Sequence, residues 1–176
     1  MKKLFLSLVA VLMAATATFA QNTLVATLTH GENVTMYYGT YALRDAYNAA
    51  ESGDVINLSA GGFQAVDIKK GITLRGTGVN ETLPTSIVNG FSVSIPADDA
   101  NRFTMEGIIG TSINLYGTSE NPYILKCRFS NANIYNKVKN AMFVNCKVTS
   151  GGYVTDNSTA QFVNCYVNSF YNNNSS

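Results

Sequence analysis

Three cysteines, Cys127, Cys146 and Cys165, recur at intervals of 19 residues, and thiols at fixed spacing can do three kinds of chemistry. They can pair as disulfides, gather a zinc ion, or fill a repeated apolar slot as small hydrophobes. An odd number leaves one thiol unpaired. Zinc needs a fourth ligand and tetrahedral convergence, which a linear series of equivalent positions does not supply. The spacing therefore favours buried thiols over a metal centre, with a disulfide as the alternative. Other candidate chemistry is thin. His30 is the only histidine, and no motif sets a nucleophile or carboxylate beside it, so a surface residue is expected rather than a catalytic base. Asp98-Asp99 invites a calcium or paired-carboxylate reading, but it follows Pro96-Ala97 and precedes Asn101, which is turn composition. Lys126, Arg128 and Lys147 lie in or beside the cysteine frame with no ladder of carboxylates to accompany them.

The cysteines belong to a longer repeat, and the elements that position them follow from it. Ile124-Leu125-Lys126-Cys127-Arg128-Phe129 aligns with Phe143-Val144-Asn145-Cys146-Lys147-Val148 and with Phe162-Val163-Asn164-Cys165-Tyr166-Val167. Thr104-Met105-Glu106-Gly107-Ile108-Ile109 fits the same frame with a one-residue difference in spacing. Such a period is too short for a helical repeat or a propeller blade, and the leucine spacing of a leucine-rich repeat is missing. It suits one coil of a β-solenoid, with successive coils stacked as parallel strands about 4.8 Å apart. Val144 and Val163 then end one strand. Asn145 and Asn164 turn the corner in a left-handed conformation that asparagine tolerates. Cys146 with Val148, and Cys165 with Val167, point inward on the next strand.

Upstream, Leu43, Ala46, Tyr47 and Ala50 make one apolar helical stripe, with Thr40 placed to cap the helix and Gly53 to stop it. Leu24 to Met36 suggests one or two short strands. After Gly53 the periodicity becomes that of strands: Val55-Ile56-Asn57-Leu58, Val66 with Ile68, Ile72 with Leu74, Ile87 with Val88, and Phe91-Val93-Ile95. The chain opens with Lys2 and Lys3, an apolar run from Leu4 to Met13, and small residues up to Ala20. This reads as a signal peptide, residues 1–20, cleaved before Gln21 and directing export to the periplasm, cell surface or medium. The run is short for a membrane span, so no span is expected after cleavage. The net charge of +1 becomes −1 once Lys2 and Lys3 are gone, a poor footprint for nucleic acid.

From about Thr40 onward the chain resembles the right-handed parallel β-helix family with the pectate-lyase-like fold. The resemblance is carried by Ala42 to Leu58, by Gly61-Gly62-Phe63, and by Ile68-Lys69-Lys70-Gly71-Ile72-Thr73-Leu74-Arg75-Gly76. The leader and Gln21 resemble those of exported Bacteroidetes proteins. The resemblance implies an all-β, right-handed parallel β-helix in a single domain, residues 21–176, with a capping α-helix at about 40–52 and a solenoid at about 54–172. It implies a helix laid over the N-terminal end, where open strand edges otherwise invite association. It leaves function open, since this fold hosts lyases, hydrolases, adhesins and inert scaffolds. In the lyases of that fold, acidic residues, a basic residue and calcium act on one sheet face.

One surface feature remains. If Ile113, Leu115, Ala132 and Ile134 face inward, alternation sends Asn114, Tyr116, Asn133 and Tyr135 outward. The third coil, with Gly152 and Val154, breaks this pair, and Tyr171 restores an aromatic in the fourth. Such a ladder suits sugar binding, and it also stabilises stacked strands in its own right. The expectation is a non-catalytic carbohydrate-binding or scaffold module, without a resident cofactor or metal. The alternatives are a polysaccharide lyase or glycoside hydrolase, needing calcium only if a lyase, and an adhesin-like solenoid that self-associates through its C-terminal end.

Overall fold

The computed structural model describes residues 23–173 apart from 118 and 156; the expected signal peptide lies outside the described residues. Two strands, β1 (Val25–His30) and β2 (Asn33–Tyr38), form an antiparallel hairpin. Helix α1 (Ala42–Ala49) buries Leu43, Ala46 and Tyr47, with Ala50 buried just beyond it, as the stripe predicts. Its ends differ from expectation. Tyr41, not Thr40, occupies the N-cap and gives no side-chain bond; the Ala42 N–H reaches back instead to the Gly39 carbonyl at 3.0 Å. At the other end the chain turns extended at Ala50, and Gly53 (φ 96°) belongs to the turn after the helix. The terminal carbonyls are met by Lys70, whose Nζ donates to Ala50 O at 2.6 Å and Tyr47 O at 3.2 Å. A cation there also opposes the negative end of the helix dipole.

Six coils follow. The first holds β3 (Val55–Leu58) and β4 (Gly61–Gln64); the second holds β5 (Thr73–Arg75), β6 (Thr85–Val88) and β7 (Phe91–Val93). The third holds β8 (Thr104–Glu106) and β9 (Ile109–Leu115), the fourth β10 (Tyr123–Leu125) and β11 (Arg128–Ile134), the fifth β12 (Ala141–Val144) and β13 (Lys147–Thr155). The sixth holds β14 (Ala160–Val163), β15 (Tyr166–Val167) and β16 (Phe170–Asn173). Strands β3, β5, β8, β10, β12 and β14 stack in parallel as one face. The long strands β9, β11 and β13 each run through two further faces, because β6 pairs with the first half of β9 and β7 with the second. The fold is thus mostly β: a parallel solenoid with one short N-terminal helix. Ile68 contributes only an isolated bridge to Val93, so the Val66–Ile68 run is not a strand. Among the described residues no helix is long and apolar enough to cross a membrane.

The repeat is more regular than the alignment suggests. Thr104 faces Tyr123 and Ile109 faces Arg128, the same 19-residue interval that separates later coils, without a one-residue difference. The alignment matches Gly107 to a cysteine, whereas the backbone puts Gly107 (φ 66°) at the corner used by Lys126 (φ 50°), Asn145 (φ 53°) and Asn164 (φ 50°). Ile108 therefore holds the slot before Cys127. Left-handed backbone is the requirement at that corner; asparagine meets it in the last two coils, where Asn164 Nδ2 also donates to Asn145 Oδ1 at 2.6 Å.

The N-terminal end is closed by two devices. Helix α1 covers the core, while the exposed edge of β3 is taken by β1, which pairs with it antiparallel. Asp54, buried, fastens the two together: its carboxylate accepts from His30 Nδ1–H at 2.8 Å and from the Glu51 N–H at 2.7 Å. His30 is an exposed residue, as expected, but one with a carboxylate partner. Asp99 does similar work within the first coils, accepting from Ser52 Oγ, from Gly71 N–H at 2.8 Å and from Asn101 N–H at 2.9 Å. Burial by itself would raise its pKa, but these three donors outweigh that and hold the carboxyl below its ordinary range. Asp98-Asp99 is a turn, with the Asp99 N–H bonded to Pro96 O.

Candidate functional site

Alternation along β9, β11, β13 and β16 sends one set of side chains into the core and the other to solvent. Ile113, Leu115, Ala132 and Ile134 are fully buried. Asn114, Tyr116, Asn133 and Tyr135 stand half-buried on the outer side, and Tyr171 is exposed beside them. Tyr116 and Tyr135 stack with ring centroids 5.3 Å apart at 18°. Asn133 Nδ2 donates to Asn114 Oδ1 at 2.8 Å. Burial, together with the neighbouring phenols of Tyr116 and Tyr153, pushes the Tyr135 hydroxyl above its ordinary range.

The fifth coil, with Gly152 and Val154, does not break this ladder. Strand β13 carries one more residue than β11 at a bulge, so that Phe129 faces Val148 but Asn131 faces Gly151. Gly152 and Val154 consequently turn inward, and Tyr153 takes the outer position opposite Asn133. Tyr153 in turn stacks on Tyr171 at 5.5 Å and 23°. Sequence reasoning missed Tyr153 because alternation was carried through without the bulge. The adjacent glycines Gly151-Gly152 are the signal that marks it, since isolated glycine in a strand pattern points to a bulge or a close backbone approach. The Asn133 Oδ1 is buried without a partner, because the coil beyond it offers a tyrosine where the ladder would need another amide.

This outer face is uncharged: its positions are Ser92, Asn114, Asn133, Tyr153 and Tyr171 in one column, with Tyr116, Tyr135 and Thr155 in the next. Charge collects instead around the corner. Glu106 lies 3.7 Å from both Arg75 and Lys126, and Arg128 lies 3.4 Å from Glu81. Arg75, Glu106 and Lys126 line a hollow of about 540 Å³ with Gly76 and Gly78. Of the basic residues of the repeat, Lys126 and Arg128 therefore do have a carboxylate near them, although not as a ladder. Lys147 sits 5.6 Å from the Tyr166 ring. Among the described residues no cluster of three or more His, Cys, Asp or Glu side chains is gathered for a metal ion.

The cysteines are free thiols in one column, Cys127 and Cys146 buried and Cys165 half-buried in the last coil. Each finds carbonyl acceptors: Cys127 Sγ meets Leu125 O at 3.3 Å, Cys146 Sγ meets Ile124 O at 3.4 Å, and Cys165 Sγ meets Phe143 O at 3.3 Å. Burial drives the Cys127 thiol far up and the Cys146 thiol to about 11. Thiolate is the reactive form, so its fraction at mildly alkaline pH is low for both. Titration of the native protein with a chromogenic disulfide reagent is expected to consume one thiol quickly, Cys165, and the other two only after denaturation. Rapid reaction of all three in the native state would contradict the buried column.

Comparison of the chain with protein-family models, with curated proteins and with solved structures finds no match in any of the three. The fold rests on its own strand topology, and the functional reading rests on the chemistry of the surface.

Proposed function

We propose that the protein is an exported, non-catalytic binding module of the pectate-lyase-like β-helix type, whose tyrosine–asparagine face takes polysaccharide. The observation that carries this reading is the joining of two stacked pairs, Tyr116 with Tyr135 and Tyr153 with Tyr171, to the Asn114–Asn133 amides on one uncharged face. Ring-on-ring stacking uses up the shared faces. What the surface offers a ligand is outer ring faces, ring edges, phenol hydroxyls and amide groups, and sugars have the matching C–H faces and hydroxyls. The test is affinity electrophoresis of the folded protein through gels holding neutral or uronate polysaccharides. Retardation by at least one polymer is expected. A Tyr153→Ala, Tyr171→Ala double variant should weaken it by about tenfold or more, the factor that corresponds to about 1.4 kcal/mol. Unchanged retardation in the double variant would remove the site.

A second reading, polysaccharide lyase or glycoside hydrolase, draws on Glu106 held between Arg75 and Lys126 in its hollow. A carboxylate and two cations could bind and polarise an acidic sugar, with calcium required only for lyase chemistry. Ultraviolet absorbance of unsaturated product on uronate polymers with calcium, and reducing-end release without it, decide against this reading when both stay flat.

A further inference from the structure

More than half of the exposed large hydrophobic side chains of the solenoid lie at its two ends. Of the ten large hydrophobic side chains that are exposed among the described residues, Val34, Met36 and Tyr38 lie on β2, and Val163, Tyr166 and Tyr171 lie in the last coil. The other four include Val79, Leu83 and Tyr153 along the stack, and scattered exposed hydrophobes need no explanation, but a group at each opposite end of one stack calls for a partner there. Among the described residues strand β2 pairs only with β1, and β14 pairs only with β12, so these are the two edges of one eight-stranded sheet. Among the described residues neither edge strand carries a charge, a proline or a bulge that would protect it against pairing. Strand β2 holds no charged residue and no proline, and from Asn157 onward the sequence has no Lys, Arg, Asp, Glu or Pro. Behind β14 the core is partly open, with Phe162 and Phe170 lining a hollow of about 520 Å³.

Strand direction selects the occupant. Strand β1 is antiparallel to β3, and β2 is antiparallel to β1, so β2 runs parallel to β3 and to every strand stacked on that face. The hairpin thus returns the free N-terminal edge to the direction of the free C-terminal edge. A second copy placed along the solenoid axis meets β14 with its β2 in the parallel sense that every coil already uses. The apolar side chains of both edges then fall on the same side. The inner side of β1 is marked by buried Ala26 and Leu28, which face Tyr37 and Thr35, so Val34, Met36 and Tyr38 are outer residues; on β14 the exposed outer residues are Gln161 and the apolar Val163. A two-fold contact through the C-terminal ends would instead pair β14 with itself antiparallel and leave the β2 row in water.

We propose that the protein associates with itself head to tail, β2 of one copy adding to β14 of the next. Such a contact is heterologous and open, so it extends the solenoid into longer assemblies rather than stopping at two.

The experiment uses sedimentation velocity on the full chain, alone and as three variants. Wild type should show average mass rising with concentration past that of two chains. Met36→Lys and Val163→Lys should each be monomeric, with unaltered circular dichroism because both positions face solvent; Tyr38→Lys serves as a second N-terminal variant. Mixed together, Met36→Lys and Val163→Lys retain one sound C-terminal edge and one sound N-terminal edge between them, and should form a one-to-one dimer that grows no further. A wild type that stays monomeric at all concentrations overturns the proposal. So does one that stops at a dimer abolished by Val163→Lys but indifferent to Met36→Lys, the result a two-fold contact would give.

Discussion

Phe143→Ala is expected to cost about 3–5 kcal/mol of stability, as removal of a buried phenylalanine usually does, and so to lower the thermal midpoint by about 6–20 °C in a chain of this size. Phe143 is completely buried on the first face, opposite Ile124 in the coil before and Phe162 in the coil after. Its ring stacks on that of Phe162 at 4.8 Å and 14°. The cost should lie at the upper end of the range because the site cannot collapse. The neighbouring coils are held apart by the backbone ladder of β10, β12 and β14, which keeps the strand spacing whatever the side chains do. Phe162→Ala should cost distinctly less in the monomer, since Phe162 is half-buried and its outer side already meets water. The comparison is read by denaturant or thermal unfolding followed by circular dichroism at low protein concentration. Equal losses at the two positions would mean that the last coil is covered in solution. Raising the concentration should bring them together if copies stack end to end.

How far the sequence discloses this molecule depends on whether a feature is local. The cysteine frame, the asparagine corners and the inward and outward sets of β9 and β11 are all expressed within a few residues of chain. They repeat, so they can be read by alternation and period. The features that sequence reasoning misses join segments far apart. Lys70 meets the carbonyls of α1 across 20 residues and more, Asp99 reaches Ser52 across 47, and Asp54 meets His30 across 24. Those pairings depend on how many residues the irregular early coils spend before coming back to the same corner, and no periodicity encodes that. The closing of β3 by the hairpin is of the same kind, because β1 joins the sheet in the opposite direction to the coils. At the candidate site, Asn114, Tyr116, Asn133, Tyr135 and Tyr171 lie on one face, and Tyr153 joins them through a bulge that strict alternation passes over.

Gly152→Ala tests that bulge directly, and is expected to destabilise the protein by about 1–3 kcal/mol, the range for overpacking a filled core. With Gly152 turned inward, an added Cβ would fall 1.8 Å from the carbonyl oxygen of Ala132 and 2.8 Å from the Phe170 ring. The first obstacle is backbone of the neighbouring strand, so it cannot be relieved by a rotamer change. Relief requires β11 and β13 to separate, at the expense of the hydrogen bonds between them. The column explains why glycine is there: Phe91 faces Ile113, Ile113 faces Ala132, and Ala132 faces Gly152, so side-chain volume shrinks coil by coil until Phe170 fills the space. Uninterrupted alternation makes the opposite prediction. Were Gly152 an outer residue, alanine would be tolerated there and would even stabilise slightly by restricting the unfolded chain. A melting curve for Gly152→Ala therefore distinguishes the two registers by sign. A midpoint at or above that of the wild type would return Gly152 to the surface and take Tyr153 off the tyrosine face.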